Sequence, residues 1–220
     1  AVSVDTYRFK EFYMIRLILI ATILILYLII GIPVLLIEWV IGKFNPRARD
    51  ISSLRMVQAA FKLMLWITGS DITYIGHENV PKDQAVLYVG NHCSYFDILL
   101  TYSQCPDLTG YVAKAEMLKY PLLRDWMKRL YCLFLDRSDM RAGMQMILTG
   151  IDYIKKGISI CIFPEGTRSK DGKMLPFKEG SMKSSHPDRA KGSLYIFKSF
   201  INFFQSYFCL LYTSPSPRDS

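Results

Sequence analysis

A chain of 220 residues can bury one core, and its 51% hydrophobic and 21% charged residues exclude a disordered or fibrous polymer. The net charge of +8 sits in the second half: residues 1–110 hold nine Lys and Arg against nine Asp and Glu, residues 111–220 hold 18 against 10. That half is expected to meet anions, and with no nucleic-acid module or aromatic-interleaved basic stripe, the pattern predicts anionic lipid and phosphorylated substrate rather than nucleic acid.

The run Leu17 to Ile37 has no charged side chain over 21 residues. As a helix it would extend about 30 Å, the thickness of a hydrocarbon core. A cleaved leader fits poorly, because its apolar region is usually about 7–15 residues. Gly31 and Pro33 predict a kinked span or a shallow re-entrant hairpin, and basic residues at both ends leave the orientation open between spanning and monotopic insertion. Ile51 to Thr68 places Ser52, Arg55, Gln58 and Lys62 on one narrow face of an otherwise apolar helix. It lies in the membrane interface or packs on the domain. Residues 1–70 therefore read as a membrane-anchoring helical segment.

From residue 71 short apolar runs alternate with helical patterns, the signature of an α/β domain. Ile72 to Gly76, Ala85 to Val89, Tyr111 to Ala113, Tyr131 to Leu135 and Ile158 to Phe163 read as strands. Asp97 to Gln104, the later part of Leu118 to Leu130, and Met140 to Lys156 read as helices. This rhythm stops at Lys183. Residues 71–183 form the expected α/β domain, incomplete at its end, and 184–220 are expected to be a disordered or foreign tail.

Two short words carry the chemistry. In Asn91-His92-Cys93-Ser94-Tyr95-Phe96-Asp97, His92 follows a strand and can exchange protons near neutrality. Asp97, five residues on, can reach one ring nitrogen through a strand-to-helix turn and leave the other facing substrate. Cys93 beside it is discounted as a nucleophile, since neighbours on an extended chain point to opposite sides. In Phe163-Pro164-Glu165-Gly166-Thr167-Arg168-Ser169, Gly166 admits close backbone approach, Thr167 donates hydrogen bonds and Arg168 offers a planar fork for phosphate. Glu165 is the awkward member, expected to orient Arg168 or to bond a substrate hydroxyl. Arg137 and, less strongly, Lys114 are basic residues at strand ends that suit the same anion. Arg137 alternatively pairs with Asp136 or Asp139.

The five cysteines, at 93, 105, 132, 161 and 209, show no C-x-x-C pairing. They predict reduced thiols in a cytosol-facing domain, and no metal site is expected.

Taken together these residues resemble the glycerolipid acyltransferases, most closely the 1-acylglycerol-3-phosphate acyltransferases. Asn91, His92 and Asp97 match the family's Asn-His-x-x-x-x-Asp motif, and Phe163 to Ser169 matches its Phe-Pro-Glu-Gly-Thr-Arg-Ser motif in full. Phe134-Leu135-Asp136-Arg137 is similar to the motif between them, and Pro176 to Gly180 to the segment that follows. The resemblance implies a mixed sheet flanked by helices. It also implies transfer of a fatty acyl group from acyl-CoA or acyl carrier protein to the 2-hydroxyl of a lysophosphatidic acid, giving phosphatidic acid at a membrane. In that reaction His92 and Asp97 would be catalytic, Arg137 with Glu165, Gly166, Thr167 and Arg168 would hold the phosphate, and no cofactor would be needed. Another lipid acceptor, glycerol-3-phosphate or a lysophospholipid, is the rival within enzymes. The family's fourth motif, an apolar strand with a proline, has no counterpart after Lys183, so an inactive membrane-bound fragment is the rival from another class.

Overall fold

The computed structural model describes residues 2–169, 175–177, 193–202 and 205–212. Two long helices come first, α1 (Val2–Phe44) and α2 (Pro46–Thr68). They form an antiparallel hairpin: Arg16 of α1 donates to the carbonyl of Thr68 at the end of α2, and Glu38 of α1 accepts from the Ser53 hydroxyl of α2. The reversal lies at Asn45, whose side chain caps the Ala48 N–H at 2.9 Å before Pro46 opens the second helix. Pro33 lies inside α1 without ending it, so of the two forms expected, a kinked span or a re-entrant hairpin, the chain does not turn back at Gly31–Pro33.

α1 offers Tyr27, Leu28, Gly31, Val34, Leu35 and Glu38 to the rest of the protein, a stripe at three- and four-residue spacing. Its other face leaves Ile25, Ile29, Ile30, Leu36 and Ile37 exposed. Among the described residues, Met14–Phe44 is the stretch long and apolar enough to cross a membrane. α2 resolves the choice left open for its polar face. Gln58 is buried and its amide donates to the carbonyls of Tyr102 and Cys105, so this helix packs on the domain.

The domain contains α3 (Phe96–Tyr102), α4 (Leu123–Arg129) and α5 (Met140–Lys155) around a sheet. Its strands are β1 (Asp71–Ile75), β2 (Val86–Gly90), β3 (Thr109–Lys114), β4 (Leu133–Leu135), β5 (Ser159–Ile162), β6 (Ser193–Asn202) and β7 (Gln205–Tyr212). The order is β1-β7-β6-β2-β5-β3-β4, parallel at every pair except β6–β7. β2 and β5 are buried along their whole length, and this two-sided burial makes both read as unbroken apolar runs. The pleat divides them: Val86 and Tyr88 join Leu54 and Val57 of α2 in one core cluster, while Leu87 and Val89 meet Ile154 of α5 in the other.

Within the stretch from residue 184, expected to be a disordered or foreign tail, the backbone of 193–202 and 205–212 forms β6 and β7, which give β2 a partner on its second edge and link it to β1. Pairing across the sheet overrides the loss of local rhythm. Residues 178–180 of the resemblance, Ser184 to Pro187, and the last eight residues lie outside the described ones.

Because β2, β5, β3 and β4 run parallel, the loops that leave them at Asn91, Phe163, Lys114 and Asp136 open at one edge of the sheet. In such sheets ligands collect at that edge.

Candidate active site

The site begins where β2 ends. Asn91 is buried and its amide donates to the Cys93 sulfur at 3.2 Å, which ties the start of the loop to itself. His92 follows, and its Nδ1 lies 2.9 Å from Asp97 Oδ2. The same carboxylate oxygen accepts from the backbone N–H groups of Cys93 at 2.7 Å and Ser94 at 2.8 Å. Asp97 is fully buried, so it shapes the loop as well as the histidine. With Nδ1–H donated to this carboxylate, the neutral imidazole carries its lone pair on Nε2.

β5 supplies the opposite wall. The Phe163 ring stacks on the imidazole at 4.3 Å between centroids and 18° between planes, fixing the ring's face. Beneath Phe163, at 6.4 Å, lies Tyr111, whose hydroxyl is hydrogen-bonded to Thr101 at 2.6 Å. Burial pushes the Tyr111 phenol and the Cys161 thiol well up, so both stay neutral below the histidine.

The turn after Phe163 closes through the Gly166 N–H to Phe163 carbonyl bond at 2.9 Å, with Gly166 at a φ of 67° that a side chain would strain. Glu165 inside this turn is 2% exposed. Its two oxygens accept from the backbone N–H groups of His92 at 2.8 Å and Leu175 at 3.0 Å. The task expected of Glu165, orienting Arg168 or bonding a substrate hydroxyl, is therefore corrected. It stitches the two loops together, helped by the Ser169 N–H, which donates to the His92 carbonyl at 2.8 Å.

The basic residues converge on the same edge. Arg137, two residues beyond β4, reaches the Gly166 carbonyl with its guanidinium. The acids proposed as its alternative partners are otherwise engaged: Asp136 accepts from Ser138, which holds its carboxyl below the usual range, and Asp139 caps α5. Arg168 lies with its guanidinium carbon 3.7 Å above the centre of the Tyr95 ring. Thr167 and Arg168 are exposed beside it. Lys114 ends β3, in register with Leu135 of β4, and is exposed at the sheet edge. Tyr95, Phe163 as a stacking platform, Ser169 and Leu175 were not singled out by sequence reasoning. For Tyr95 the signal was an aromatic residue in a polar loop.

Among the described residues no cluster of His, Cys, Asp or Glu has the arrangement of a metal site. What the geometry provides is a carboxylate-oriented imidazole next to a glycine turn and two guanidinium groups. The acyltransferase family's sequence model matches residues 71–186. The chain belongs to the acyltransferase family. Within it, the chain is 34% identical over 134 residues to the 1-acyl-sn-glycerol-3-phosphate acyltransferase of Borreliella burgdorferi, covering 60% of this chain and 52% of that protein. To the 1-acyl-sn-glycerol-3-phosphate acyltransferase of Limnanthes douglasii it is 38% identical over 119 residues, 54% of this chain and 42% of the other. It thus spans about half the length of these relatives. The crystal structure of the 1-acyl-sn-glycerophosphate acyltransferase PlsC from Thermotoga maritima matches with a TM-score of 0.78 at 23% identity, over 92% of this chain and 85% of that one. That match shows the shared fold, in which this acyltransferase-family chain places both of its motif loops at one sheet edge.

Proposed function

We propose that this protein transfers a fatty acyl group from acyl-CoA or acyl carrier protein to the 2-hydroxyl of 1-acyl-sn-glycerol-3-phosphate, giving phosphatidic acid for phospholipid synthesis. The observation that carries the chemistry is the 2.9 Å contact between His92 Nδ1 and the buried Asp97 carboxylate, which leaves Nε2 to act as base. The choice of acceptor is supported by the relatives named 1-acyl-sn-glycerol-3-phosphate acyltransferase.

His92 Nε2 takes the proton of the acceptor hydroxyl as its oxygen attacks the thioester carbonyl. The tetrahedral intermediate collapses, the carbon–sulfur bond breaks, and the imidazolium returns the proton to the departing thiolate. Asp97 holds the tautomer and stabilises the transient imidazolium. Arg168 binds the acceptor phosphate, with Arg137 bracing the Gly166 turn beside it and Lys114 adding charge at the edge. No metal or prosthetic group enters these steps.

The membrane role follows from α1. Its inner stripe is packed against the domain while its outer face is a continuous apolar surface, an arrangement suited to lying in one leaflet. The test is acyl transfer by His92→Ala and Cys93→Ala variants, with radiolabelled acyl-CoA and a panel of lysophosphatidic acid, glycerol-3-phosphate and lysophosphatidylcholine. Loss of about 10³-fold or more in His92→Ala with Cys93→Ala unaffected is the expected result. Near-normal turnover in His92→Ala overturns the mechanism, and preference for another acceptor overturns the substrate.

A further inference from the structure

A phosphate ligand needs its guanidinium held in one orientation, because a free arginine gives up several rotors on binding. Glu165, the residue expected to hold Arg168, is buried and bonded to two backbone amides. Arg168 makes no ion pair with another described residue. What it does contact is the face of Tyr95, at 3.7 Å from guanidinium carbon to ring centre.

Tyr95 is 66% exposed, high for an aromatic side chain in a loop otherwise half-buried. Its backbone is held on both sides. The N–H groups of Cys93 and Ser94 are bound by Asp97, and the N–H of Phe96 donates to the Ser94 hydroxyl. The backbone that carries the ring is thus held by the same turn that holds His92. A guanidinium resting on an aromatic face is attracted by the ring quadrupole while its in-plane N–H groups stay available.

We infer that Tyr95 is a positioning residue for acceptor binding: its ring holds Arg168 for the phosphate of the acceptor, linking the base loop to the anion-binding turn. This rests on the phosphate role of Arg168 proposed above. The ring does the work and the hydroxyl does not, so flat aromatic replacements are tolerated and aliphatic ones are not. The consequence falls on phosphate recognition, leaving the chemistry at His92 intact.

The experiment is steady-state kinetics of the full chain in detergent micelles with oleoyl-CoA and either 1-oleoylglycerol 3-phosphate or 1-oleoylglycerol, which lacks the phosphate. Equilibrium titration of the phosphorylated lipid runs in parallel. Tyr95→Leu is expected to raise KM and Kd for the phosphorylated acceptor about five-fold with kcat unchanged, and to leave the unphosphorylated acceptor unaffected. Tyr95→Phe restores the wild-type values. In an Arg168→Ala background, Tyr95→Leu has no further effect. Circular dichroism and thermal melting verify that each variant is folded.

If Arg168→Ala raises KM while Tyr95→Leu leaves it unchanged, Tyr95 has no positioning role and the phosphate reading stands. If Tyr95→Phe is as impaired as Tyr95→Leu, the hydroxyl is at work and the inference fails. If Arg168→Ala changes nothing, or the wild-type chain neither binds nor turns over the lipid, the phosphate reading falls and Tyr95 with it.

Discussion

The Glu165 carboxylate and the backbone of His92 are joined by a 2.8 Å hydrogen bond across 73 residues of sequence. The other oxygen of Glu165 binds the Leu175 N–H at 3.0 Å, so one buried carboxylate fastens the His92 loop to the Gly166 turn and to Leu175. Truncation removes the charged acceptor and strands two amides. Glu165→Ala is expected to destabilise the protein by about 3 kcal/mol, with Glu165→Gln, which keeps one acceptor oxygen, intermediate. Urea midpoints of the three proteins check this ordering, and equal midpoints would show that the amides find other partners.

Asp97 has two duties that a conservative change separates. Asp97→Asn keeps the volume and one acceptor for the Cys93 and Ser94 amides, but it no longer favours a proton on His92 Nδ1. Turnover is expected to fall by about 10²–10⁴-fold with little change in KM. A variant with normal kcat would remove Asp97 from catalysis and leave it a turn residue.

Gly31 marks the contact between α1 and the domain. A Cβ there would stand 2.7 Å from the Trp126 indole nitrogen, and Trp126 is itself buried. Gly31→Ala should therefore cost about 1–3 kcal/mol even though alanine favours a helix over glycine by about 1 kcal/mol. At Gly143 in α5 the nearest atom is 3.7 Å away, so Gly143→Ala should show the propensity gain. Opposite signs in denaturation measured in micelles are the expected outcome.

Cys105 gives a pH signature. Burial pushes its thiol up to about 11 from 9.0. Below pH 9 both the folded and unfolded states keep the proton, so the contribution is fully present. Between about 9 and 11 the unfolded state releases a proton that the folded state retains, and stability falls. Unfolding midpoints from pH 8 to 11 should decline more steeply in the wild type than in Cys105→Ala. Parallel curves would place the loss elsewhere.

The features legible in the sequence are the local ones. His92 and Asp97 are five residues apart within a single strand-to-helix turn, so residue types and spacing are enough to specify their contact. Apolar runs located β1 to β5, and at β2 and β5 burial of the strand on both faces leaves its mark in composition. The long apolar helix was equally plain, as no charged side chain interrupts Leu17 to Ile37.

What only the tertiary structure decided lies between segments distant in the chain. Gln58 looks like a surface residue by periodicity, yet it is buried because the carbonyls of Tyr102 and Cys105 happen to sit opposite it. Glu165 looked like a partner for Arg168 three residues away and instead binds amides 73 and 10 residues away, while Arg168 settles on Tyr95. β6 and β7 take their place from the open edge of β2. A sequence pattern records how polar a position is, and the identity of its partner is set only when the strands lie side by side. For this protein the sequence determined the His92–Asp97 pair, and the packing of β2 against β5 decided what holds it.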